Sequence, residues 1–139
     1  MTFPGISALT AGVILVMQIV LAFMVSGQRG NTKTSLGSGA GVAGSDPLHR
    51  AVRRHGNLAE NAGLFIAGFI ALELSKSHPT LLWILCAAFV ISRVLHAIGL
   101  SQENTSNAFR MIGGVGTYAI GLILGALLIW VALPVVMAG

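Results

Sequence analysis

Apolar residues fill four long stretches of the chain, and short polar stretches separate them. The stretches run from about Ile6 to Ser26, Pro47 to Leu74, Thr80 to Leu100 and Ala108 to Met137. Each is near or above the roughly 20 residues that an α-helix needs to cross a bilayer. They do not alternate, and they are about twice as long as the ~10-residue strands of a membrane β-barrel. The first contains one strongly polar interior residue, Gln18, expected to hydrogen-bond between packed helices. It closes at Ser26-Gly27-Gln28-Arg29-Gly30, and the Gly- and Ser-rich stretch from Arg29 to Ser45 reads as a loop. Asp46-Pro47 is an N-cap followed by proline at the first helical position. The second helix is polar in its first half and apolar in its second, and Ser75 to Pro79 reads as a turn. The third is apolar until Arg93 and His96, and Ser101 to Asn107 is a polar loop. The fourth has Arg110 near its start, then Gly113, Gly114, Gly116, Gly121 and Gly125, residues that let membrane helices approach closely. Pro134 is expected to kink or end it.

Composition supports the same reading. Of 139 residues, 55% are hydrophobic and 9% charged, with mean hydropathy +0.85; a soluble domain carries about 25% charged residues. The fold class is therefore all-α, a single integral-membrane four-helix bundle over residues 1–139. The net charge of +4 does not signal nucleic acid, because the basic residues flank apolar segments. Arg29, Lys33, Arg50, Arg53 and Arg54 lie in or after the first loop, and Arg93 and Arg110 flank the third, against Lys76 on the other side. That bias predicts cytoplasmic first and third loops and both termini outside. No basic residue precedes the first apolar run, so it is expected to be a retained helix rather than a cleaved signal. The single cysteine, Cys86, excludes an internal disulfide and reads as a small packing residue.

Ionisable side chains at membrane depth cost roughly 2.5–3.5 kcal/mol each on insertion scales, so they mark function. Arg50, Arg53, Asn57, Glu60 and Leu64 recur every three or four residues and share one face of the second helix. Arg93 and His96 share a face of the third, and Arg110 opens the fourth. Such a set suits a small, multiply charged zwitterion. Arginines would hold its carboxylates, Glu60 its ammonium group, and Asn57 an amide. The competing reading is that Arg53, Glu60 and Arg93 pair with one another to lock the helices. Arg54 and His55 face elsewhere, toward lipid head groups or a neighbouring subunit. Glu73, His49 and His78 read as interfacial or solvated. No phosphate loop, zinc-spaced Cys/His cluster or other metal site, or catalytic triad is present in the sequence pattern.

Arg53-Arg54-His55-Gly56-Asn57-Leu58-Ala59-Glu60 resembles the R-x-x-x-N-x-x-E signature of the MAPEG family, the membrane-associated proteins in eicosanoid and glutathione metabolism. The likeness extends over Gln28-Arg29, Ser35-Leu36-Gly37, Arg93-Val94-Leu95-His96 and Arg110, and is greatest to the microsomal glutathione transferases. The short loops point to a prokaryotic member, and hence to a bacterial inner membrane. The resemblance implies a homotrimer that binds glutathione between adjacent subunits near the cytoplasmic face. It implies that Arg53, Asn57 and Glu60 contact glutathione, with Arg93, His96, Arg50, His55 and Arg29 as further contacts. It implies that Arg110 stabilises the glutathione thiolate. The implied reaction is conjugation to a hydrophobic electrophile from the bilayer, with peroxidase action on lipid hydroperoxides. Met111 follows Arg110 where the family's prostaglandin synthase has serine, and Leu100 stands where other eicosanoid enzymes have tyrosine, so the eicosanoid specificities are not expected. The alternative is a non-catalytic lipid-binding or scaffold protein of the same fold. A small transporter is a third reading, but no paired Gly/Pro helix breaks support it.

Overall fold

The computed structural model describes residues 3–38, 46–104 and 106–138. Four helices follow one another: α1 (Gly5–Thr32), α2 (Pro47–Leu74), α3 (Pro79–Ser101) and α4 (Ala108–Met137). All four are long and apolar enough to cross a membrane, and the chain is an integral, multi-pass membrane protein. Asp46 caps α2 as its sequence suggests, Oδ1 accepting from Leu48 N–H at 2.7 Å and His49 N–H at 3.4 Å. Pro134 does not end α4, which continues to Met137.

α1 differs from its sequence reading at its end. It runs on to Thr32, past Gly27 and Gly30, although each glycine costs a helix about 1 kcal/mol against alanine. Local closure of the last turn opposes that cost. Lys33 turns left-handed (φ 51°), and Thr34 N–H reaches the Arg29 carbonyl at 3.2 Å. The Arg29 guanidinium then folds forward onto the carbonyls of Ser35 (2.7 Å) and Gly37 (3.0 Å). The rest of the expected first loop, from 39 to 45, lies outside the described residues.

α1 packs chiefly on α2, and α3 on α4; α2 also meets α3 and α4, whereas α1 and α4 share no contact among the described residues. The core draws on all four helices, with Ile14 and Leu21 of α1 and Ile120 and Leu124 of α4 packed about Phe69, Leu72, Leu85 and Phe89 of α2 and α3. Phe65 stacks on Phe89 with ring centroids 4.2 Å apart, and Phe69 meets Phe89 edge-on at 5.7 Å. Cys86 is buried in this core. Gln18 reaches from α1 to the His55 carbonyl on α2 at 3.4 Å, a polar tie between packed helices. Glu73 is more than interfacial. Its carboxylate, at the end of α2, accepts from Ile6 N–H (3.0 Å), Ser7 N–H (2.8 Å) and Ser7 Oγ (2.6 Å), capping the start of α1 from a different helix.

Glycines bring α3 and α4 together. A Cβ on Gly113 would stand 2.5 Å from the His96 backbone nitrogen and 2.6 Å from the Ser92 carbonyl oxygen. One on Gly116 would stand 2.6 Å from Ser92 Oγ. This seam fixes the height of Arg110 against the polar end of α3.

Candidate active site

Arg53 and Asn57 from α2, His96 and Leu100 from α3, and Arg110 from α4 line one open cleft of about 710 Å³. That volume lies within the roughly 300–1,000 Å³ of small-ligand sites. The lining holds two arginines and no carboxylate. Its other wall belongs to α4, where Met111, Val115 and Tyr118 are exposed. Cationic and donor groups thus share one cleft with apolar side chains.

Each polar member is held by its helix. Arg53 and Asn57 are one turn apart on α2. Arg53 Nη1 stands 3.9 Å from Glu60 Oε1, a loose pair with both side chains more than half exposed. The His96 ring edge lies over Gly114, where a Cβ would stand 3.7 Å from Cδ2. Arg110, Gly114 and Tyr118 follow at four-residue steps on one face of α4.

Arg93 does not face the cleft beside His96. It is 3% exposed, sits behind Asn57, and donates from Nη1 to Asn57 Oδ1 at 2.8 Å and from Nη2 to the Gly113 carbonyl at 3.4 Å. Its spacing from His96 did not distinguish a ligand contact from a buried support. One lone pair of the Asn57 oxygen is thereby taken, and its amide hydrogens remain to serve a ligand. The bond from Arg93 fixes which way the Asn57 amide is turned.

Four other expected site residues stand outside the cleft in one subunit. Glu60 shares the face of Arg53 but not the cleft lining. Arg50 is half-buried one turn before Arg53 and is likewise absent from the lining. His55 lies about 200° round α2 from Arg53, and its carbonyl meets Gln18 of α1. The Arg29 guanidinium is engaged by loop carbonyls.

Among the polar cleft residues, Ser106, Asn107 and Tyr118 were not anticipated as site members from sequence. Tyr118 is the chain's single tyrosine, and its eight-residue distance from Arg110 was the available signal. Asn107 read as loop, although Asn directly before a helix is an N-cap signal. Its Oδ1 accepts from Arg110 N–H at 3.0 Å, and its Nδ2 donates to the carbonyls of Gly99 (2.8 Å) and Asn104 (2.7 Å).

The arrangement can bind a polyanion through Arg53, Asn57 and His96, and hold a further anionic atom beside Arg110 next to the apolar wall. Comparison with known proteins bears on what such an anion is. The family model described as MAPEG family matches residues 7–130, nearly the whole chain. No curated protein matches.

Proposed function

The chain belongs to the MAPEG family, and on that premise we propose that it is a membrane-bound glutathione transferase that joins glutathione to hydrophobic electrophiles drawn from the bilayer. The observation that carries the reading is the shared cleft, which Arg110 lines together with the polar Arg53, Asn57 and His96 and the apolar Met111 and Val115. Glutathione carries two carboxylates and one ammonium group. Arg53 and the Asn57 amide hydrogens suit its carboxylates. Glu60, beside Arg53, suits its ammonium group. We assign Arg29, Arg50 and His55, which lie outside the cleft of one subunit, to the boundary with a neighbour in a homotrimer. Arg93 acts through Asn57.

A free thiol has a pKa of about 8.5 and is mostly protonated at neutral pH. A guanidinium beside the sulfur favours the anion, and that is the role of Arg110. The S–H bond breaks, the proton leaves to solvent, and the electron pair stays on sulfur. The thiolate attacks the electrophilic carbon, a C–S bond forms, and the leaving group departs with its electron pair. With a lipid hydroperoxide the thiolate attacks the terminal oxygen, an S–O bond forms as the O–O bond breaks, and the alkoxide takes up a proton to leave as the alcohol; a second glutathione thiol then displaces hydroxide from the glutathione sulfenic acid, giving the disulfide and, with a proton, water. The cleft lies at the end of the bundle carrying most of the arginines, which the positive-inside bias assigns to the cytoplasm.

Retention of Arg110 in the cleft favours this reading over a scaffold that only binds lipid. The test is turnover of chlorodinitrobenzene and of a lipid hydroperoxide by purified protein with glutathione. Arg110→Ala is expected to lower kcat by about 10²–10³ and to remove the thiolate absorbance, while glutathione still binds. Absence of glutathione-dependent turnover with both substrates in the unaltered protein overturns the proposal.

A further inference from the structure

We propose that Asn107 is a positioning residue, which sets where the Arg110 guanidinium stands by tying the start of α4 to the end of α3. The inference rests on the reading of Arg110 as the thiolate's partner. Asn107 borders the cleft, yet both hydrogens of its amide are committed to protein, to Gly99 O at 2.8 Å and Asn104 O at 2.7 Å. Its oxygen accepts from Arg110 N–H at 3.0 Å. The amide fits in one orientation alone. Turned over, it would set its oxygen against two carbonyls and its nitrogen against an N–H.

A second observation comes from the other side of the same contact. At Gly99 an added Cβ would collide with the backbone nitrogen, Cα and Cβ of Arg110. The backbone of Arg110 therefore rests directly on α3 at Gly99, the residue whose carbonyl Asn107 holds. Arg110 is fixed by contact from α3 and by a hydrogen bond from its own cap. Serine or aspartate would start α4 about equally well. Neither can accept from Arg110 N–H while donating to both carbonyls. The choice of asparagine thus concerns the junction of α3 with α4, beyond the capping of α4.

The tie also joins the two halves of the site. Arg93 of α3 holds Asn57 of α2, and Gly99 of α3 seats Arg110 of α4. α3 is the ruler that sets the distance between the carboxylate-binding end and the thiolate end. A displacement of about 1 Å at a reacting group can cost about 100-fold in rate.

The decisive variant is Asn107→Ser, which keeps a neutral N-cap and removes the amide. Full-length protein in detergent is assayed for glutathione affinity, for the pKa of the bound thiol from its thiolate absorbance, and for kcat. Glutathione affinity is expected to stay unchanged, the bound thiol's pKa to rise, and kcat at neutral pH to fall about 10- to 100-fold. In an Arg110→Ala background Asn107→Ser is expected to have no further effect on kcat, because both changes act through one group. An unaltered thiol pKa and kcat in Asn107→Ser, even with a lower melting temperature, overturns the proposal and leaves a packing role. Equal losses of affinity and kcat, or additive effects in the double variant, overturn it as well. If Arg110→Ala itself leaves the thiolate intact, the proposed function fails and this inference with it.

Discussion

Arg93 is 3% exposed, and among the described residues no carboxylate lies within ion-pair distance of its guanidinium. Its partners are the Asn57 oxygen and the Gly113 carbonyl, and its Nε has none. A buried cation held by neutral acceptors is a costly arrangement. Here the Arg93 bond to the oxygen fixes the orientation of the Asn57 amide, a residue that lines the cleft. Asn57→Asp reverses that bargain. It gives Arg93 a carboxylate and the cleft an anionic wall. The expected outcome is a higher melting temperature in detergent and a glutathione affinity lower by about tenfold or more, equivalent to about 1.4 kcal/mol. Calorimetric titration and thermal denaturation of the same sample check both; unchanged affinity would mean that Asn57 does not serve the ligand. At this scale the sequence was informative about faces. Helical spacing aligned Arg53, Asn57 and Glu60, because a face depends on residue number alone. It could not tell that Arg93 is covered, since that depends on Gly113, which is distant in sequence and close in space.

Among the helices, the α3–α4 seam depends on missing side chains. Gly113 meets backbone atoms of His96 and Ser92, which cannot swing aside as a flexible side chain could. Gly113→Ala is expected to destabilise the protein by about 1–3 kcal/mol. Gly12, in α1, has nothing within 4 Å of an added Cβ, and Gly12→Ala is expected to be neutral or to stabilise by up to about 1 kcal/mol. Thermal denaturation of both variants in one detergent checks the contrast, and equal effects would mean that the seam is not close-packed. Of the α4 glycines expected to allow close approach, Gly113 and Gly116 meet α3 and Gly121 meets Phe65 of α2, whereas Gly125 has nothing within 4 Å of an added Cβ. Their partner was not legible, since α2 and α3 both offered apolar faces. The end of α1 was misplaced because glycine lowers helix propensity locally, whereas the closure comes from Lys33 and from carbonyls at Ser35 and Gly37, beyond that stretch, which Arg29 reaches forward to meet. Glu73 was read from its position near a helix end, and its partner Ser7 lies 66 residues away.

The whole molecule is a membrane bundle whose outer faces are apolar, as Leu122 and Trp130, 77% and 79% exposed, illustrate. Four spans, their order and their chain direction were legible because the bilayer demands long unbroken apolar runs. Orientation rests on charge bias alone and has a direct test. In a Cys86→Ser background, Ser77→Cys is expected to react with a membrane-impermeant maleimide from outside intact cells, and Gln102→Cys only after permeabilisation. The opposite pattern overturns the assigned sidedness. The bond of Glu73 to Ile6 and Ser7 also bears on how the protein is made. Synthesis runs from N- to C-terminus, so α1 emerges before the carboxylate that completes its first turn exists. Until the far end of α2 arrives, those N–H groups must stay at the water-facing border, because unsatisfied backbone groups cost several kcal/mol each in hydrocarbon. The first turn of α1 is therefore completed by the hairpin of α1 and α2, and not by the single helix.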